Sequence, residues 1–174
     1  MSEFRTFDDK TVEVGNCLGC YIVNNFENSD RISGQIFKTK NFTIAQDFEL
    51  PINGFVVISS NRHLLSTNEM TREEKIELIT LIDIVVTSLK KLNVCPEYDV
   101  VWEEKSGCHF HVWLMPRHRY LLDAIGSNIM KNVGQTFNYA KNNLRTVKNL
   151  ESIFKTIRGL KQELESNPEI QKLL

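Results

Sequence analysis

Hydrophobic positions along the chain fall into two rhythms. Residues 1–16 are mostly polar and predict a loosely attached arm. "GCYIV" then predicts a short strand, and "QIFKTKNFTIAQDFELPINGFVVISS" an antiparallel meander. Its β-branched and aromatic runs, Phe42 to Ala45 and Phe55 to Ile58, are separated by the turn residues Pro51, Asn53 and Gly54. The rhythm changes at Thr71, where "TREE" sets a capping hydroxyl three residues before Glu74. Ile76, Ile79, Ile82, Val86 and Leu89 follow at helical spacing and predict one apolar stripe, in a helix ending near Asn93. "YDVVWEE" and "HFHVWLM" predict two strands paired as a hairpin across "KSGC". Beyond Tyr120 the pattern is helical. "LRTVKNLESIFKTIRGLKQELE" places Leu144, Val147, Leu150, Phe154, Ile157, Leu160 and Leu164 on one face, and Asn167-Pro168 ends or breaks the helix. Strands, one helix, paired strands and then helices make an α+β fold.

The 174 residues fit one domain: a unit over 1–120 with its N-terminal arm, and a C-terminal helical extension over 121–174 belonging to the same core. With 41% hydrophobic residues, 25% charged and a net charge of -1, the chain has no basic field to recruit polyanions, and no nucleic-acid polymer is expected as a partner. A phosphate-bearing ligand must instead be held by local geometry. The N-terminus carries acidic residues early and lacks a signal-length apolar core, and runs such as "IDIVV" are too short to span a bilayer. These features predict a cytoplasmic protein without a membrane partner. Its four cysteines are then expected to be reduced, serving as ligands, packing residues or redox groups.

Three of the four histidines lie in "CHFHVWLMPRH". In an extended strand His109, His111 and Trp113 share one face, while Phe110, Val112 and Leu114 share the other. This is either a core strand with satisfied histidines, a metal site or a catalytic centre. Far upstream, "CLGC" gives Cys17 and Cys20 the two-residue gap that lets two thiolates reach one tetrahedral zinc. Two small buried hydrophobes and a redox pair are the alternatives, although a redox pair normally opens a helix in a βαβ unit. Cys95 and Cys108 lack comparable partners and are read as packing residues.

Taken in order, "CLGCYIV", "FTIAQDFELPINGFVVISSNRH", the capped helix and "HFHVWLMPR" resemble the histidine triad family of nucleotide hydrolases and transferases. They match its Cys-x-x-Cys opening, its Asp-x-x-x-Pro turn and second strand ending in Lys/Arg-His, its central helix, and its closing His-x-His-x-His-x-x-Pro-Arg motif. The resemblance spans roughly the first 118 residues. It implies an antiparallel sheet with a packed central helix, followed here by the C-terminal helices. It further implies that His111 is the nucleophile toward an α-phosphorus, forming a nucleotidyl-histidine with its other ring nitrogen fixed by a backbone carbonyl. Ser106 matches a position that donates to the phosphate or leaving group; the alternative is a turn residue before Gly107. Cys17, Cys20, His63 and His109 match the ligands of a closed, structural zinc, which leaves His118 at the rim. Asp47 falls near the ribose of a nucleotide substrate, a purine and by preference adenine, or is simply a turn aspartate ahead of Pro51. Such proteins commonly dimerise through the capped helix and an adjacent strand, so a homodimer is expected.

Two positions depart from the motif. Phe55 stands where the family has the histidine of Gly-His, and Trp113 where it has the third motif histidine. An indole offers one N–H donor and no charge, so turnover should fall by about 10²-fold or more unless another donor substitutes. Arg117, Arg119, Lys105 or a partner's arginine are candidates for that role. Trp113 stacks on a base, excludes water, or packs against Phe55 where two histidines are missing. Three readings result: a hydrolase or nucleotidyl transferase acting on dinucleoside polyphosphates or nucleoside phosphoramidates, a nucleotide-binding protein without turnover, or a zinc-stabilised interaction module using its long C-terminal helix.

Overall fold

The computed structural model describes residues 1–104 and 108–173. A five-stranded antiparallel sheet is built from β3 (Gln35–Lys38), β4 (Phe42–Gln46), β5 (Val56–Ser60), β6 (Tyr98–Glu103) and β7 (His111–Pro116), in the order β3-β4-β5-β7-β6. Side-chain alternation gives it two different faces. Ile44, Val56, Ile58, Phe110, Val112 and Leu114 enter the main core, which the central helix α2 (Arg72–Lys91) and the long α5 (Val147–Glu165) cover. On the other face, register sets Ala45 opposite Val57, Ser59 opposite His111, and Val57 opposite Trp113. His111 of β7 therefore stands over small residues of β4 and β5, on the face away from α2.

The capping box at Thr71 forms as predicted: Glu74 N–H donates to Thr71 Oγ1 at 3.2 Å, and Thr71 N–H to Glu74 Oε2 at 2.8 Å. The buried stripe differs from the predicted one. Leu78, Leu81, Val85 and Leu89 face the sheet, while Ile76 and Ile79 are each 57% exposed. Two interleaved apolar stripes run along α2, and sequence spacing alone cannot choose between them.

Three further expectations are corrected. Residues 1–16 are not a loose arm: β1 (Ser2–Arg5) and β2 (Thr11–Val14) pair as a hairpin, and Val12 and Val14 are buried with Ile32 and Phe48. Arg145 ties this hairpin down, donating to Thr6 O and Glu49 O and pairing with Asp9 at 3.0 Å. "GCYIV" is helical, within α1 (Leu18–Asn24), because the Cys17 side chain caps the helix by accepting from Cys20 N–H. In the C-terminal region Leu144 closes α4 (Val133–Asn143), and Val147 is exposed at the start of α5, where Thr146 supplies the cap. Asn167 ends the long helix and caps α6 (Pro168–Gln171) with proline at the first turn.

The extension does more than lengthen the main core. With α4, helix α3 (Arg119–Ile125) builds a second cluster of Leu121, Ile129 and Ala140 on Ile52, Phe55 and Met115. Trp113 and Phe137 pack at its border. No helix among the described residues is long and apolar enough to cross a membrane.

Candidate functional site

Four side chains that are far apart in sequence converge beside β7. Cys17 caps α1 and Cys20 lies one turn in, so both thiols leave the helix on the same side. His63 follows β5, held by its neighbour Arg62, whose guanidinium donates twice to Glu74 at 2.7 Å. That guanidinium holds the Glu74 carboxyl below the usual carboxylate range. His109 is buried and donates from Nε2 to Ser60 O at 2.8 Å, which leaves its Nδ1 lone pair facing the cysteines. Burial also lowers its pKa and keeps the ring neutral, as a ligand must be.

The ligand atoms of Cys17, Cys20, His63 and His109 all lie within 4.8 Å of one another. Cys17 Sγ to His109 Nδ1 is 3.5 Å, Cys20 Sγ to His109 Nδ1 3.6 Å, and Cys20 Sγ to His63 Nδ1 3.2 Å. Tetrahedral zinc with sulfur and nitrogen ligands has S-to-N edges of about 3.6 Å, so these three distances lie near those of such a site. Desolvation and neighbouring Cys17 push the Cys20 thiol up to about 11, and a bound cation would lower it again. Cys95 is buried as expected, whereas Cys108 is exposed and is not the packing residue it was read as.

His111 lies two residues along from the cluster. Its Nδ1 donates to the carbonyl of His109 at 2.9 Å, since a carbonyl can only accept, and Nε2 makes no hydrogen bond to the described residues. His111 lines an apolar cavity of about 110 Å³ with Trp113, Ala45, Val57 and Ser59 from the sheet, Leu18, Gly19 and Ile22 from α1, and Asp47 and Phe48. Sequence reasoning missed the α1 wall because it read that stretch as strand. Ala45, Val57 and Ser59 were legible in principle, by counting alternation outward from His111.

Asp47 serves the turn and also borders the cavity. Its Oδ1 accepts from Glu49 N–H at 3.0 Å and Leu50 N–H at 2.8 Å, ahead of Pro51. Burial nevertheless pushes the carboxyl up to about 6, against those two donors. Trp113 is half-buried between His111, at 5.7 Å between ring centres, and an aromatic group of Phe55 at 6.0 Å and Phe137 at 5.6 Å. Phe137 comes from the extension and carried no signal in the sequence.

Arg117 does not join this group. It pairs with Asp99 at 3.1 Å and Glu97 at 3.4 Å and donates to Ser127 O, so its charge is spent at the far end of β7. Arg119 pairs with Asp123. His118 is not a free rim residue: its Nε2 donates to Asn53 O at 2.7 Å and its ring stacks on Tyr120. Ser106 and Lys105 lie outside the described residues.

No family model and no curated protein matches the chain in sequence. Solved structures do. The zinc-bound histidine triad family protein of Mycobacterium smegmatis superposes with a TM-score of 0.56 at 13% identity, over 86% of this chain and 94% of that one. A Hit-like protein of Bartonella henselae gives 0.55 at 10% identity, over 87% and 99%. The diadenosine triphosphate hydrolase of Plasmodium falciparum gives 0.53 at 10% identity, over 96% and 87%. The arrangement of the sheet, its central helix and the flanking helices is therefore that of known proteins, and the chain has the histidine triad fold.

Proposed function

We propose that the protein is a nucleotide hydrolase or nucleotidyl transferase that works through His111. The observation that carries this reading is the 2.9 Å hydrogen bond from His111 Nδ1 to His109 O, which fixes the tautomer with Nε2 as an unprotonated nucleophile beside the cavity. The cavity takes the nucleoside of the substrate, purine and in the first instance adenine, with Asp47 toward the ribose and Trp113 at the phosphate. Nε2 attacks the α-phosphorus, the bond to the leaving group breaks, and the leaving group departs as the anion or takes a proton from water, with a hydrogen bond that we assign to Ser106. Water then displaces the histidine and releases the nucleoside monophosphate, or another acceptor does so and carries the nucleotidyl group away. Similarity to the Plasmodium falciparum hydrolase makes dinucleoside polyphosphates the first substrates to test, with nucleoside phosphoramidates beside them.

Cys17, Cys20, His63 and His109 hold a structural zinc, a reading supported by the ligand spacing and by the zinc-bound Mycobacterium smegmatis relative. All four positions are filled by protein, so this ion supplies folding energy and not a reactive water. The second copy of a homodimer covers Ile76 and Ile79 of α2 together with Val100 and Trp102 of the edge strand β6, all of them exposed.

A second reading, nucleotide binding without useful turnover, is favoured by one feature. Phe55 and Trp113 pack together where the motif has histidines, and among the described residues no lysine or arginine lines the cavity to stabilise transition-state charge. Nucleoside monophosphate release from diadenosine polyphosphates and adenylyl phosphoramidates, compared between the protein and its His111→Ala variant, separates the two.

A further inference from the structure

The helix that presents the cysteines is also a wall of the cavity. Leu18, Gly19 and Ile22 of α1 line it, and Cys17 and Cys20 bracket Leu18 and Gly19 in sequence. Gly19 is where the helix meets the sheet: a Cβ there would sit 2.4 Å from His109 Cγ, so only glycine lets α1 approach this closely. His109 belongs to both sites, through its Nδ1 toward the thiols, its ring in the cavity lining, and its carbonyl on His111. A seven-residue helix is too short to hold its own shape or position, so α1 depends on what anchors it.

We propose that the four-ligand cluster is the latch of the cavity: the metal positions Leu18, Gly19 and Ile22 as ligand-binding residues, and metal and nucleotide bind cooperatively. This rests on the reading that the cavity takes a nucleoside. With the ion bound, α1 is pinned to β5 and β7 through His63 and His109, and the cavity has its third wall. Without it, the thiols lose their common partner and α1 is held only by its packing on Val12, Ile32 and Phe48 and by the bonds of Gln35 and Lys38 to its carbonyls, so its position over the cavity loosens. A nucleoside packed against Leu18 and Ile22 holds α1 in place in the same way, so each ligand removes part of the ordering cost the other meets. Linkage requires the two effects to be equal.

The test uses the zinc-loaded 174-residue protein and adenosine monophosphate. Binding is followed by fluorescence of Trp113 in a Trp102→Phe background, and zinc affinity by equilibrium competition with a chromophoric chelator, with and without saturating nucleotide. The nucleotide is expected to tighten zinc binding by about five-fold or more, the lower end of ordinary coupling. Its own weak affinity for zinc acts in the opposite direction and cannot mimic this. In Ile22→Ala, which keeps every metal ligand, zinc stays stoichiometric while nucleotide affinity and the coupling both fall. Nucleotide that binds while zinc affinity stays unchanged overturns the latch and leaves the nucleotide reading standing. Nucleotide that does not bind at all overturns that reading and the latch with it.

Discussion

His109 turns its imidazole toward Cys17 and Cys20 and lends its backbone carbonyl to His111 Nδ1 at 2.9 Å, so one residue ties the cysteine–histidine cluster to His111, the proposed nucleophile. Its own Nε2 is pinned to Ser60 O, and the chain from β5 through His109 to His111 contains no free rotor.

Removing one thiol should therefore be felt in the fold before it is felt in the chemistry. Cys20→Ser is expected to lose stoichiometric metal and to melt about 10 °C or more lower, whereas Cys108→Ser, at an exposed cysteine outside the cluster, should keep both metal and melting temperature. Metal content by atomic emission and a thermal melt decide this. Equal metal loss in both variants would remove the four-ligand assignment.

Trp113→His restores a charge-capable donor beside His111 at the expense of ring contacts with Phe55 and Phe137. Turnover should rise by about ten-fold or more and stability fall by about 2 kcal/mol. Steady-state kinetics beside a urea melt read both effects, and a variant less active than the parent at equal folded fraction would show that Trp113 contributes more than a histidine does.

Asp47 makes stability depend on pH in a defined direction. Burial lifts its carboxyl from an ordinary value near 4 to about 6, so between these values the folded chain holds a proton that the unfolded chain has lost. The contribution of the protonated form is complete below about pH 4 and is lost as pH rises through 6, costing no more than about 2–3 kcal/mol at neutral pH. Asp47→Asn keeps an oxygen for the N–H groups of Glu49 and Leu50 and removes the titration. Its melting temperature should exceed that of the parent at pH 7 and converge with it near pH 4. Parallel curves would contradict the burial argument.

The exposed stripe of α2 supplies an independent check on assembly. Ile79→Glu is expected to convert a dimer to a monomer in light scattering, with little change in melting temperature at low concentration, because Ile79 is 57% exposed and outside the core. An already monomeric parent protein would dispose of the interface.

Much of the fold was legible because short-range chemistry set it. The Thr71–Glu74 box and the Asn167-Pro168 break each depend on residues within a few positions of one another, and β6 and β7 pair as consecutive strands. Convergence of the two cysteines with His63 and His109 was legible only through the motif, since spacing gives no distance between strands. What failed depended on partners elsewhere. "GCYIV" is β-rich in composition, but a thiol cap and a sheet beneath it make it helix. Ile76 and Ile79 look like core until Leu78 and Leu81 take that place. The pairing of Arg117 with Asp99 and Glu97 likewise comes only from the register of β6 on β7.

The most direct measurement is to trap the intermediate. The protein is mixed with a diadenosine polyphosphate or an adenylyl phosphoramidate, quenched within the first turnovers under alkaline conditions, and digested for mass spectrometry. The account predicts an adenylyl group on His111, absent in His111→Ala, with adenosine monophosphate released in step with its decay. Monophosphate released at the same rate by both proteins, or no adduct and no release at enzyme concentrations that would reveal even slow turnover, would contradict it.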